Sequence, residues 1–244
     1  MTLATSIPAL RRLLPIFIFC VGGFSAVAEP VNVVVRVPVG TVSPAGLPGL
    51  LAKWRRSGQV TNSLLLIQGR ADKPDRVAKF ESLAVLEFQD EASYAAWERG
   101  PAAALPTGLQ VRRADVLARG EPLPHDRKRA AFVVNTYTPI VASEKFVEFV
   151  DGYVKPLYAA LQATRHLVFY TIYLERGAVG KVDALTVLEY RDAEAVVAVG
   201  KIKNAVRRQV AAATPSYARF DAIKDTLRID GFGTFATKAD DGPN

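Results

Sequence analysis

Cysteine and histidine are both scarce in this chain. Cys20 is the one cysteine among 244 residues, and a single thiol cannot staple a fold with a disulfide. His125 and His166 are the two histidines, and neither stands in an H-x-x-E-H run. With no cysteine pair and no compact run of acids and histidines, spacing shows no metal site. A G-x-S-x-G elbow and a phosphate loop are also missing, and the GFG at Gly231 to Gly233 lies in an expected strand rather than between strand and helix. Hydrolase and nucleotide-enzyme readings fall away with those motifs.

Cys20 itself sits in what reads as a targeting segment. Arg11 and Arg12 form a positive region, Leu13 to Phe19 an apolar core interrupted by Pro15, and Ala26-Val27-Ala28 a small-residue cleavage site. The stretch 13–28 is too short and too rich in Gly and Ser for a good membrane span. Phe19 is not the small residue that a lipoprotein site needs before its cysteine. The expectation is therefore a signal peptide over 1–28 cut after Ala28, a periplasmic or secreted location, and no stable membrane span after cleavage. Removing 1–28 takes away two arginines and no acid, so the formal charge of +7 falls to +5. That mild excess favours an anionic partner only weakly. The cysteine-free remainder must be held by its core alone.

What the chain does have is a repeat. Leu83, Val85, Leu86, Glu87 and Asp90 of LAVLEFQDEA return 102 positions later as Leu185, Val187, Leu188, Glu189 and Asp192 of LTVLEYRDAE. A duplicated unit constrains the whole architecture. Two units of about 100 residues are each marginal alone, which argues for halves packed on one another.

Each half reads as strand, helix, strand, strand, helix, strand. In the first, Val31 to Val39 is a nearly continuous valine strand, and Leu47, Leu50, Leu51 and Trp54 make one helical stripe that stops near Gly58. Ser63 to Gln68 and Phe80 to Phe88 are strands, Asp90 caps a helix running through Trp97 to a Gly100-Pro101 stop, and Leu109 to Ala118 is the fourth strand. In the second, Phe132 to Thr138 is followed by a helix carrying Phe146, Val150, Tyr153, Leu157 and Leu161, with a bend expected at Pro156. Leu167 to Leu174 and Ala184 to Tyr190 are strands joined by a turn at Gly177 and Gly180. Asp192 caps a long helix, Thr214-Pro215 interrupts it, a short helix covers Tyr217 to Lys224, and Leu227 to Phe235 closes the unit.

The fold class is thus α+β: two tandem ferredoxin-like βαββαβ repeats at 29–120 and 131–238, a proline-bearing linker over 121–130, and a tail at 239–244. Each unit carries its helices on one sheet face and leaves the other bare, so two bare faces closing on each other would make a barrel.

LAVLEFQDEASYAAWERGPAAAL, with Glu87 on its strand, Asp90-Glu91 opening the helix and Trp97 before the stop, resembles an uncharacterised domain family of the dimeric α+β barrel superfamily. SGQVTNSLLLIQGR is similar to that family's second strand, and the resemblance covers Val31 to Arg119. In the second half Val199 stands where Trp97 would recur. The resemblance implies a pseudo-dimeric barrel on one chain. Superfamily relatives include cofactor-independent monooxygenases, haem-degrading enzymes, chlorite dismutase-like haem proteins and stress proteins without known catalysis.

Glu87 and Glu189 are the first candidates, as repeated carboxylates on otherwise apolar strands. They could serve proton transfer at a barrel mouth, or pair with a neighbouring Arg. Tyr137, Tyr170, Tyr173 and Tyr190 could supply wall hydroxyls for a small, mostly apolar ligand. His166 meets an aromatic strand and could ligate haem or act as a base, although a helix-end imidazole on a carbonyl explains the same position. No other cofactor is indicated. His125, in the linker, is expected to be solvated. Lys201, Lys203, Arg207 and Arg208 make one helix side basic, but no aromatics interleave for base stacking, so a solvated face and no nucleic-acid partner are expected. Three roles stay open: binding a small apolar molecule, monooxygenase-like or haem chemistry, and a non-catalytic assembly module. Further oligomerisation is left open too.

Overall fold

The structure is a computed structural model that describes residues 29–40, 46–71, 80–177 and 182–239. The expected signal segment, the Gly180 end of its turn and the tail beyond Ala239 lie outside the described residues. In chain order the first half gives β1 (Val31–Val37), α1 (Leu47–Arg56), β2 (Asn62–Ala71), β3 (Ser82–Phe88), α2 (Glu91–Arg99) and β4 (Gln110–Arg119). The second gives β5 (Ala131–Pro139), α3 (Ser143–Phe149), α4 (Lys155–Ala163), β6 (Leu167–Arg176), β7 (Val182–Tyr190), α5 (Ala193–Ala213), α6 (Pro215–Ile223) and β8 (Arg228–Lys238).

Local chemistry explains the boundaries. Asp90 and Asp192 each accept a hydrogen bond at 2.7 Å from the amide three residues on, Ser93 and Ala195, and so cap α2 and α5. Gly58 follows α1 at φ +72°, a left-handed conformation that suits glycine. Pro156, the expected bend point, lies beside a local irregularity of the helix. It sits in the first turn of α4, where its missing N–H costs little, and a π-helical turn over Val150–Val154 precedes it. The widened turn takes in Gly152, whose carbonyl the proline ring would otherwise strike.

The strands form one closed antiparallel barrel in the order β1-β3-β2-β8-β5-β7-β6-β4. Within each half the order, β4-β1-β3-β2 or β8-β5-β7-β6, is that of the ferredoxin-like unit. The halves do not simply face each other: they are hydrogen-bonded edge to edge, β2 to β8 and β4 to β6. An isolated unit would leave the N–H and C=O groups of those edges unpaired, and the continuous ring satisfies both.

Strand alternation then sorts the side chains. Val33, Val35, Leu86 and Phe88 face α1 and α2 with Trp54 and Trp97. Tyr170, Leu188 and Tyr190 face the helices of the second half with Phe149, Tyr153 and Phe220. The opposite faces meet inside the barrel, where Val34, Leu66 and Leu83 of one half pack with Phe132, Val134 and Leu185 of the other. The two bare faces thus become one shared core.

Candidate functional site

A cleft of about 800 Å³ opens at the end of the barrel where β3 and β7 finish. Its walls include Leu64, Val85, Phe132, Phe169 and Val187, and Glu87 and Glu189 stand one strand step above Val85 and Val187 on the same face. In the ring of eight strands β3 and β7 are four places apart, so the two repeated glutamates face each other across the barrel axis.

Two β-bulges aim other side chains into this mouth. β4 carries an extra residue between Val116 and Ala118, and β6 carries one between Leu167 and Phe169. Each shifts the alternation by one position. On β4, Ala114 before the bulge packs in the barrel interior, Ala118 after it packs under the helices, and Arg119 is brought into the cleft. There Arg119 Nη2 donates to Glu87 Oε2 at 3.0 Å.

The linker forms a strap along one side of the mouth. Gly120 N donates to Tyr170 O at 2.9 Å and Leu123 N to Val168 O at 2.9 Å, which continues the β6 pairing past the end of β4. Gln162, from α4, donates to Glu121 O at 2.6 Å. His125 then turns inward with its side chain 5 % exposed, so the expectation of a solvated imidazole is corrected. Its Nδ1 lies 3.0 Å from Leu123 O and its Nε2 lies 2.8 Å from Glu189 Oε1. A carbonyl oxygen only accepts, so Nδ1 carries hydrogen, and the Nε2 contact needs one further proton shared with the carboxyl group. The two equivalent glutamates are therefore held differently, one by a permanent cation and one by a titratable ring.

Tyr173 also lines the cleft. Burial pushes its phenol up, Arg119 and a hydrogen bond with Thr171 pull it down, and the Glu87 charge raises it again. The hydroxyl therefore stays protonated at neutral pH and can donate. The other expected wall tyrosines are elsewhere. Tyr137, Tyr170 and Tyr190 lie on the helix side of the sheet. The phenols of Tyr137 and Tyr190 are raised first by burial and then by neighbouring Tyr158. His166 occupies the turn from α4 into β6, following Arg165 at φ 61°, and does not line the cleft.

A second groove of about 900 Å³ runs outside the barrel along β4. Its charges pair off, Arg113 with Glu91 at 2.6 Å and Arg176 with Asp115 at 2.8 Å. Among the described residues no group of three or more His, Cys, Asp or Glu could hold a metal. The mouth also does not fit a haem iron: His166 lies away from it, and both ring nitrogens of His125 are engaged.

No family model and no curated protein matches the chain. Among solved structures it is similar to a candidate monooxygenase of Fusobacterium nucleatum, with 14 % identity, a TM-score of 0.50, and coverage of 86 % of this chain and 94 % of that one. A candidate monooxygenase of Lactobacillus acidophilus matches with 12 % identity and a TM-score of 0.45 over 86 % and 99 % of the two chains. A DypB variant of Rhodococcus jostii in complex with heme matches with 10 % identity and a TM-score of 0.43 over 88 % and 96 %. Strand order and fold likeness together give this chain the dimeric α+β barrel fold, with both halves on one polypeptide.

Proposed function

We propose that the protein is exported and binds a small, mostly apolar molecule in the barrel mouth between Glu87 and Glu189. The cleft carries this reading: about 800 Å³ falls within the roughly 300–1,000 Å³ of small-ligand sites, and Leu64, Val85, Phe132, Phe169 and Val187 give it an apolar floor beneath a polar and charged rim. The barrel middle is filled by Val34, Leu66, Leu83 and Leu185, so the ligand enters from one end and stops above that plug. A pure assembly module has no use for an open mouth in which His125, Glu189, Glu87, Arg119 and Tyr173 converge above an apolar floor.

Arg11-Arg12, the apolar run after them and Ala26-Val27-Ala28 support export, and among the described residues no helix is long and apolar enough to cross a membrane. Native mass spectrometry with absorbance on protein recovered from its own host tests both parts. The expected result is a chain starting at Glu29 that retains a small organic mass. A chain starting at Met1 overturns export, an empty cleft overturns ligand retention, and a Soret band would replace this reading with the haem one.

A further inference from the structure

We propose that the molecule held in the mouth is a small amphipathic acid, an aryl or alkyl carboxylate whose one negative charge meets a cationic rim while its apolar body lies on the floor. This rests on the ligand-binding reading of the cleft and names the chemical class of its ligand. The observation behind it is the sign of the charges around that floor. Among the described residues four permanent cations line the cleft, Arg55, Arg119, Arg127 and Lys238, against three carboxyl side chains, Glu87, Glu121 and Glu189. Two of those acids already have partners inside the cleft: Glu87 accepts from Arg119 Nη2 at 3.0 Å, and Glu189 Oε1 lies 2.8 Å from His125 Nε2. An incoming carboxylate therefore meets positive charge in excess. An incoming ammonium would have to compete for Glu87 and Glu189 with groups already in place.

The fold sends these cations to one end of the barrel. Arg119 and Lys238 are the last residues of β4 and β8, so the fourth strand of each half ends in a cation at the mouth. Arg55 comes from the last turn of α1, and Arg127 from the strap that also brings in His125. A sphere of 800 Å³ is about 12 Å across, so each lining charge lies within about one Debye length of an anion at its centre. All four cations thus act on the head group even where one of them holds it. A guanidinium presents parallel N–H groups that match the two oxygens of a carboxylate. Glu87 and Glu189 stand in the same mouth and disfavour a second negative charge on that head. Below it, Phe132 and Phe169 offer aromatic faces to the apolar body.

The groove along β4 lacks this character. Acids outnumber cations in its lining, and its Arg113 and Arg176 are paired with Glu91 and Asp115. The cationic surplus therefore belongs to the cleft and not to every concave surface of this basic chain.

The test uses the whole chain from Glu29 and three probes of one shape: 3-phenylpropanoate, 3-phenylpropan-1-ol and 3-phenylpropylamine, whose heads are negative, neutral and positive at neutral pH. Isothermal titration calorimetry reads the affinities, and shifts of the Leu64 and Val187 methyl signals show that a probe sits on the floor. The acid is expected to bind at least about tenfold more tightly than the alcohol, the worth of one charge-assisted hydrogen bond, with the amine weakest. That gap should narrow as salt is raised. Arg127→Gln and Lys238→Gln should each weaken the acid by about two- to threefold, the effect of one unit charge about 8 Å away in water, and leave the alcohol unchanged. Arg127 is exposed, so its substitution spares the core, and thermal melting checks both variants. Floor shifts with equal affinity for acid and alcohol, or with the amine tightest, overturn the acid and leave the binding reading standing. An acid preference that is indifferent to salt and unchanged in both variants overturns the cationic rim as its cause. Absence of floor shifts with all three probes overturns the acid and the binding reading together.

Discussion

Trp54 and Trp97 meet edge to face with ring centroids 5.5 Å apart at 88°. Trp97 also tilts against Phe88 at 5.2 Å, and the rings clamp α1 and α2 onto the first half's sheet. Both tryptophans are no more than 2 % exposed. The second half fills the same layer with a longer helix, α5, and with Val199 in the region where Trp97 would recur.

Replacing Trp97 therefore destabilises the first half specifically. Trp97→Ala should cost about 3–5 kcal/mol, the range for a large buried aromatic, whereas Val199→Ala should cost about 1–2 kcal/mol, from the value of about 0.8 kcal/mol per buried CH₂. Urea unfolding followed by far-ultraviolet circular dichroism measures both. A Trp97→Ala loss no larger than that of Val199→Ala would refute the clamp.

Arg36 and Glu175 join the halves at the other end of the barrel. Glu175 is fully buried on β6, is in contact with the Arg36 guanidinium from β1, and lies 3.8 Å from Arg112 of β4. Arg112 in turn pairs with Asp183 at 2.8 Å. Burial raises the Glu175 carboxyl more than Arg36 and Arg112 lower it. Desolvation thus outweighs attraction, as is common for buried pairs. Arg36→Met alone should cost about 3–5 kcal/mol, while Arg36→Met with Glu175→Leu should be near neutral or stabilising.

The same carboxyl has a sign in pH. Its folded value lies above the ordinary carboxyl value of 4.5. As pH rises from that value through the folded one, the unfolded chain releases its proton first, and stability declines. Glu175→Gln should remove that decline, which stability measured by urea unfolding at a series of pH values would read directly.

Asp192 has the opposite sign. Its hydrogen bond from Ala195 N holds the carboxyl below 3.8. The stability it adds is present above the unfolded value and is lost as pH falls through the folded one. Asp192→Ala should cost about 1 kcal/mol at neutral pH. Asp192→Asn should keep most of that cap and lose its pH dependence, as acid melting curves would show.

The repeat, the caps and the order of elements along the chain could be read from the sequence because each is written in nearby residues. Asp90 and Asp192 precede their helices, and the valines of β1 announce a strand covered on both faces. Sorting tyrosines into the mouth was harder, because alternation gives two faces without saying which is interior. Tyr190 is next to Glu189 and so had to face the other way, a signal present in the sequence. Arg119 and His125 left no such sign. One depends on a bulge defined by pairing between β4 and β6, and the other on a linker whose path is fixed by carbonyls of β6. Both depend on contacts made only once the two halves have met.

Gly120 is the hinge of that path. A Cβ at this position would come within 2.6 Å of Tyr170 Cε1 and 2.8 Å of Gln162 Oε1. Tyr170 is buried and cannot swing away, so Gly120→Ala should push the strap off the β6 edge. The Gly120 N to Tyr170 O bond would break first, then the Leu123 N to Val168 O bond, and His125 would withdraw from Glu189. Amide hydrogen exchange should accelerate at Leu123 while the amides of β3 and β7 stay protected. The His125 ring signals should move toward those of an exposed imidazole. Unchanged exchange at Leu123 would show that the strap is held by contacts other than these, and that the mouth keeps its His125 wall without them.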